Sequence, residues 1–284
     1  MSRTCLIPAK AVQRKAPVAN NRDQLARERK FHDRFAATID PASINIEGMF
    51  ESSTSPENRF ILARTGDLKG KILLDLGCGA GESSVFFARK GAHCYAADCS
   101  QGMIALTRKL ALLHGVEINT CLTNAVELPF ANNVFDIVYA ANLLHHVDVH
   151  KTLMEIYRVL KPGGKSCTWD PLRHNPLINL YRLIATGVRT ADEHPLDINI
   201  IGAVKKIFTD VVFDTFWLAT LWLLCRFYLV EHVDPNHEPY WRKIHLEEPL
   251  LRKTYLRLEK IDRFLKKIPF VRKYAWNIVI VAHK

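Results

Sequence analysis

Short apolar runs alternate with longer mixed stretches through the first two thirds of this 284-residue chain. The runs Lys71–Leu76, His93–Asp98, Glu117–Leu122, Phe135–Ala140 and Lys165–Asp170 read as buried strands, while Ser83–Lys90, Gln101–His114 and Val149–Val159 carry helical spacing. Strands separated by helices build a mostly parallel, doubly wound α/β sheet with helices on both faces. Ligands of such sheets sit beyond the carboxyl ends of the strands, where strand order reverses. Asp75, Asp98, Asn124, Asn142 and Asp170 all fall at such ends.

The flanking segments follow other patterns. Met1–Asn20 reads as a loose tail, and Arg22–Ala37 as a helix whose Leu25, Phe31 and Phe35 pack over the site as a lid. Val211–Val230 is almost wholly apolar, with eleven uncharged residues between Asp214 and Arg226. A bilayer span needs about 20 such residues, so this segment is expected as a sixth strand running into a buried or interfacial helix. Leu250, Leu251, Leu258, Ile261, Leu265 and Ile268 recur at helical spacing among arginines and lysines, and Trp276–Ala282 reads as the last strand, closing the sheet. The expected result is a seven-stranded sheet with a lid helix before it and a helical insertion before its last strand. The boundaries are 1–40 for tail and lid, 41–172 for the ligand-binding core, and 173–284 for a substrate-side region.

Composition narrows the class. At 48% hydrophobic and 24% charged the chain is globular rather than disordered. Its net charge of +10 is uneven. Residues 1–34 hold nine Lys/Arg against three acids and residues 241–284 hold twelve against four, so the middle is acidic. A basic amphipathic helix beside an aromatic segment points to an anionic membrane surface, against the plainer alternative of a solvated helix packed on its own domain. The seven cysteines include no Cys-x-x-Cys pair and read as small apolar residues, the alternative being a trio gathered around a soft element at the site mouth. No signal-peptide pattern stands in the first 20 residues, and residence in the cytoplasm is expected. No metal site is predicted, and nothing here names an oligomeric state.

The chemistry is concentrated in Asp75-Leu76-Gly77-Cys78-Gly79-Ala80-Gly81. Alternate glycines let the main chain turn sharply and approach a ligand closely. Asp98, 17 residues beyond Gly81, stands where a doubly wound sheet places an acid for ribose hydroxyls. A dinucleotide fingerprint spaces its third glycine one residue later and cradles a pyrophosphate. Here an acid precedes the turn, which suits a ligand with an ammonium group and no phosphate. S-adenosylmethionine has that character.

These residues resemble the class I S-adenosylmethionine-dependent methyltransferases, in the small-molecule, type 11-like branch with its Rossmann-like fold. The resemblance runs from about Arg29 to Leu172. It continues through Asp98-Cys99-Ser100-Gln101-Gly102-Met103, Asn124-Ala125-Val126-Glu127-Leu128-Pro129-Phe130, Phe135-Asp136-Ile137-Val138, Leu143-Leu144-His145-His146-Val147 and Arg158-Val159-Leu160-Lys161-Pro162-Gly163-Gly164. It implies that Asp75, Gly77, Gly79 and Gly81 meet the methionine end of the cofactor and Asp98 the ribose. Cys99 and Met103 then pack on adenine, the Ala125 amide meets the ring edge, and main chain near Asn142 closes the site. Asn124 departs from the usual aspartate, but its amide oxygen accepts the same hydrogen bond.

Beyond Asp170 the substrate side is read from residue types. Methyl transfer needs alignment, a dry pocket and, for an acceptor that must lose a proton, a base. Candidates for the base are Asp170, His146, His174 and His194, each with a structural alternative. Trp169, Arg173, Tyr181 and Trp217 are the candidate substrate contacts, the aromatic ones offering π-faces to a cationic intermediate. The favoured acceptor is small and lipophilic, a prenylated quinone, natural product or lipid head group, with O- and C-methylation both open. The competing classes are a nucleic-acid methyltransferase, prompted by the pI of about 9.3, and a non-catalytic protein that keeps the nucleoside pocket. Ala140-Ala141-Asn142-Leu143-Leu144 lacks the Asn/Asp-Pro-Pro-aromatic turn of base-amino methyltransferases, and no RNA-binding module is visible, so nucleic acid is not favoured.

Overall fold

A computed structural model describes residues 21–190, 192–234, 236, 243–244 and 248–284. The tail Met1–Asn20 lies outside them. Seven strands form one sheet: β1 (Ile72–Leu76), β2 (His93–Asp98), β3 (Ile118–Leu122), β4 (Phe135–Ala141), β5 (Leu160–Pro171), β6 (Thr209–Phe216) and β7 (Asn277–His283). Their spatial order is β3-β2-β1-β4-β5-β7-β6. The pairs from β3 to β5 are parallel and β7 is antiparallel to both its neighbours. Strand order reverses between β1 and β4, which opens the ligand crevice there.

The last strand completes the sheet from within, between β5 and β6. Six consecutive buried residues, Asn277–Ala282, suit a strand with neighbours on both sides. β6 exposes Thr209, Asp210 and Val212 and fully buries only Thr215, which suits an edge.

Helices α1 (Asn21–Ala36), α2 (Ile46–Glu51), α3 (Pro56–Thr65), α4 (Glu82–Arg89), α5 (Gln101–Leu113) and α6 (Val149–Val159) accompany the parallel half. α7 (Pro176–Ile184), α8 (Ile200–Val204), α9 (Trp222–Leu229) and α10 (Glu248–Leu265) belong to the insertion. Ile178, Trp217, Phe227, Leu251, Tyr255 and Trp276 share a separate core there. On α10 the inward face is Leu251, Tyr255, Leu258 and Asp262, whereas Leu250 and Ile261 are exposed. The apolar stripe read from sequence is therefore split between two faces. Buried Asp262 accepts from the Leu218 amide at 3.2 Å and the Thr220 hydroxyl at 2.6 Å, capping the turn that leads into α9.

Candidate active site

The turn after β1 is built around Asp98. Its carboxylate accepts the Gly79 amide at 3.1 Å and the Ser100 amide at 2.8 Å, joining the glycine turn to the entrance of α5. Gly79 has φ +53°, and a Cβ there would meet nothing within 4 Å. That open side belongs to a cavity of about 480 Å³ at the carboxyl ends of β1, β2 and β4, which Gly77 also lines. Gly81 serves differently from the expectation. It caps α4 at φ +91°, and a Cβ would lie 2.7 Å from the Thr107 side chain, so its bareness permits helix packing and it does not line the cavity.

Asp75, Glu82 and Asp98 converge on this end of the cavity. Buried Asp75 accepts the Ser84 hydroxyl at 2.6 Å. Burial pushes its carboxyl up to about 7, with the Ser84 hydrogen bond opposing. Burial raises Asp98 as well, against the backbone amides that donate to it. Among the described lining residues Arg189 alone is Lys or Arg, and it stands with Glu193 on the insertion. Clustered carboxylates without a basic partner reject a pyrophosphate and fit a ligand that brings its own ammonium, sulfonium and diol.

Cys99, Met103, Asn124, Ala125 and Asn142 continue the same wall. The Asn124 carboxamide oxygen receives the Val126 amide at 3.3 Å, and Asn142, at φ +51°, donates its amide to the Trp169 carbonyl at 2.8 Å. Leu25, Phe31 and Phe35 of α1 face them. Asp33 fastens this helix to α5 by accepting the Ser100 hydroxyl at 2.6 Å and the Gly102 amide at 2.8 Å. Glu28 fastens its other side, within 3.3 Å of His146 and accepting the Thr190 hydroxyl at 2.7 Å. Burial would raise the Glu28 carboxyl, but His146 and His32 prevail and hold it well below its ordinary range.

At the other end Trp169, Tyr181 and Trp217 reach the cavity. The Trp169 indole donates to the Tyr139 hydroxyl at 3.0 Å, which donates to Asn58 at 2.7 Å. His146 lines the cavity too, but the other candidate bases do not. Asp170 is buried behind the wall, because alternate side chains on β5 point to opposite sides and Trp169 and Pro171 take the cavity side. Its carboxylate accepts His145 Nδ1 at 2.8 Å and the His145 amide at 3.3 Å. His174 pairs with Asp197 at 3.1 Å, and the exposed Arg173 pairs with the same acid, both away from the cavity. His194 is exposed and touches the site only through its backbone amide on the His145 carbonyl, 2.7 Å away.

Sequence reasoning missed the residue this arrangement favours. His145 is buried, lines the cavity and is held by Asp170. Burial first, then the neighbouring charges of His146, Arg189 and Arg182, lowers its pKa well below the ordinary value, while burial raises the Asp170 carboxyl well above its own. Its neighbour His146 and Glu193 bring candidate ligand atoms within 4.8 Å of it, and Glu193 is paired with Arg189. Of the described cysteines only Cys78 and Cys99 line the cavity, short of a trio for a soft element.

Residues 74–168 match the family described as "Methyltransferase domain". The chain is 36% identical over 115 residues to the ubiquinone/menaquinone biosynthesis C-methyltransferase UbiE of Desulfotalea psychrophila, covering 39% of this chain and 46% of that protein. It is 40% identical over 97 residues to the demethylmenaquinone methyltransferase of Clavibacter sepedonicus, covering 34% and 39%. The chain thus spans less than half the length of these relatives. Haemonchus contortus phosphoethanolamine N-methyltransferase 2, solved in complex with S-adenosyl-L-methionine, shares the fold at TM-score 0.57 and 21% identity, over 90% of this chain and 59% of that one. Residues 74–168 thus match a methyltransferase domain, and the sheet that holds them has the Rossmann-like fold of class I methyltransferases. In this chain α1, α2 and α3 precede the matched residues, and α7 to α10 follow them.

Proposed function

We propose that this chain transfers the methyl group of S-adenosylmethionine to a small acceptor with a lipophilic body. The observation that carries this reading is a single cavity joining the glycine turn and its acids to the wall of Trp169, Tyr181 and Trp217, beneath α1. Two relatives named for quinone methylation add support for a lipophilic acceptor. When bound, the cofactor supplies an electrophilic methyl group on a sulfonium centre. Asp75 and the main chain of Gly77 and Gly79 hold its charged amino acid end, Asp98 the ribose, and Cys99, Met103, Asn124, Ala125 and Asn142 the adenine side. His145 would take the proton that the acceptor loses at Nε2, while Asp170 would keep the other ring proton on Nδ1. The lid and the aromatic wall exclude water, which favours a reaction in which positive charge disperses. Incubating a small-molecule extract with methyl-labelled cofactor and weighing the labelled product tests the reading; labelling of nucleic acid alone would contradict it.

Asp75 gives this reading a pH signature. Its raised pKa means that a proton there favours the ligand-free fold in full below the ordinary carboxylate range, a contribution lost as pH rises through about 7. A ligand ammonium prefers the ionised acid and so binds better above that pH. Saturating S-adenosylhomocysteine is expected to raise Tm more at about pH 8 than at about pH 6. A larger shift at the lower pH in a thermal melt would contradict the role of Asp75.

The same reading includes peripheral contact with an anionic membrane. Leu177, Leu180, Leu183 and Ile184 are exposed on α7, whose Tyr181 faces the cavity, and Leu183 is 77% exposed. Trp222 and Leu229 on α9, and Leu250, Ile261 and Phe264 among the basic residues of α10, are exposed as well. Among the described residues no helix is long and apolar enough to cross a membrane. Apolar side chains flanked by cations suit the headgroup boundary. Vesicles containing phosphatidylserine are expected to float the protein at low salt, with recovery falling at high salt and in Leu183→Asp. Equal recovery with neutral vesicles at every salt concentration would contradict the electrostatic part.

A further inference from the structure

Glu57 lies in the first turn of α3, is buried, and lines the acceptor end of the cavity. Two neutral donors converge on its Oε1: the Trp217 indole N–H at 2.7 Å and the Asn277 carboxamide at 2.7 Å. The other acids at this end face basic groups, Glu28 with His146 and His32 and Glu193 with Arg189. Among the described residues Glu57 has no ion-pair partner within 4 Å. A glutamine carbonyl would accept the same two hydrogen bonds. An ionised carboxylate strengthens them, but burial raises its carboxyl against that gain, and a cation beside it offsets the desolvation best. The surrounding wall favours that partner. Trp217, Trp276 and Tyr181 all line the cavity, the last two with ring centroids 6.3 Å apart, and aromatic faces beside an acid attract organic cations.

We infer that Glu57, with Trp217 and Trp276, forms a recognition site for a cationic nitrogen, an ammonium or quaternary ammonium group carried by the substrate. This rests on the cavity being the acceptor site of a methyltransferase, and it narrows the acceptor to one combining a lipophilic body with an amine. The N-terminal turn of α3 contributes to keeping Glu57 ionised when the cation is present.

Calorimetric titration of phenethylamine and of its neutral counterpart 2-phenylethanol into protein saturated with S-adenosylhomocysteine tests the site. The amine is expected to bind at least about tenfold more tightly than the alcohol. Glu57→Gln is expected to abolish that preference while leaving S-adenosylhomocysteine affinity unchanged. Equal binding of the two probes by the native protein, binding of neither, or an undiminished preference in Glu57→Gln would overturn the inference. The comparison in the native protein needs no variant, so a folding defect in Glu57→Gln leaves the test intact. Retained amine preference without uptake of S-adenosylhomocysteine would count against methyl transfer and for the cation site. Uptake of S-adenosylhomocysteine without amine preference would do the reverse.

Discussion

Asp98→Ala is expected to reduce S-adenosylhomocysteine affinity by roughly 100-fold to 10,000-fold, from two lost hydrogen bonds to a charged acceptor at about 1.5–3 kcal/mol each. The change acts twice. It removes the acceptor for the ribose diol, and it frees the Gly79 amide that Asp98 holds at 3.1 Å, loosening the turn beneath the methionine end. Fold stability is expected to fall far less, because the variant also removes a carboxylate that burial makes costly to ionise. Calorimetry beside a thermal melt separates the two effects. Near-native affinity with an unchanged melt would mean that another group holds the ribose.

Loss of the imidazole in His145→Ala is expected to lower kcat by about 100-fold to 10,000-fold, the usual contribution of a general base, with S-adenosylhomocysteine affinity little changed. Asp170 acts through that ring. Asp170→Asn leaves the strand and its shape but replaces an acceptor at Nδ1 with a group able to donate, which favours the wrong tautomer. A comparable loss in kcat with unchanged KM is expected, together with a displaced pH profile, which a merely structural residue would not produce. His174→Ala and His194→Ala lie outside the cavity and are expected to retain activity. Full activity in His145→Ala would show that the acceptor sheds its proton without this base.

What the sequence disclosed follows from which information is local. The parallel strands and their helices are legible because each apolar run ends in a turn signal, and the glycine turn with Asp75 and Asp98 lies within one β-α-β unit. The position of β7 inside the sheet is not local, since nothing in Asn277–His283 states which strands flank it. The same limit governs the acceptor end. Glu57 meets Trp217 and Asn277 across 160 and 220 residues, so no spacing rule connects them. Asp170 is misread for a subtler reason: its place at a strand end resembles that of Asp75 and Asp98, but the side-chain alternation of β5 turns it toward His145 instead of the cavity. His145 and His146 are adjacent and chemically identical, and only the Asp170 contact distinguishes them. The exposed stripe on α7 was equally hidden, because apolar spacing does not say which face meets the core.

Calorimetric titration of the native protein with S-adenosylhomocysteine, and separately with NADH, tests the central claim most directly. The acids at the glycine turn, with no lysine or arginine among the described residues there, predict saturable binding of S-adenosylhomocysteine with one site per chain and no binding of NADH. Uptake of NADH with no heat from S-adenosylhomocysteine would contradict the account.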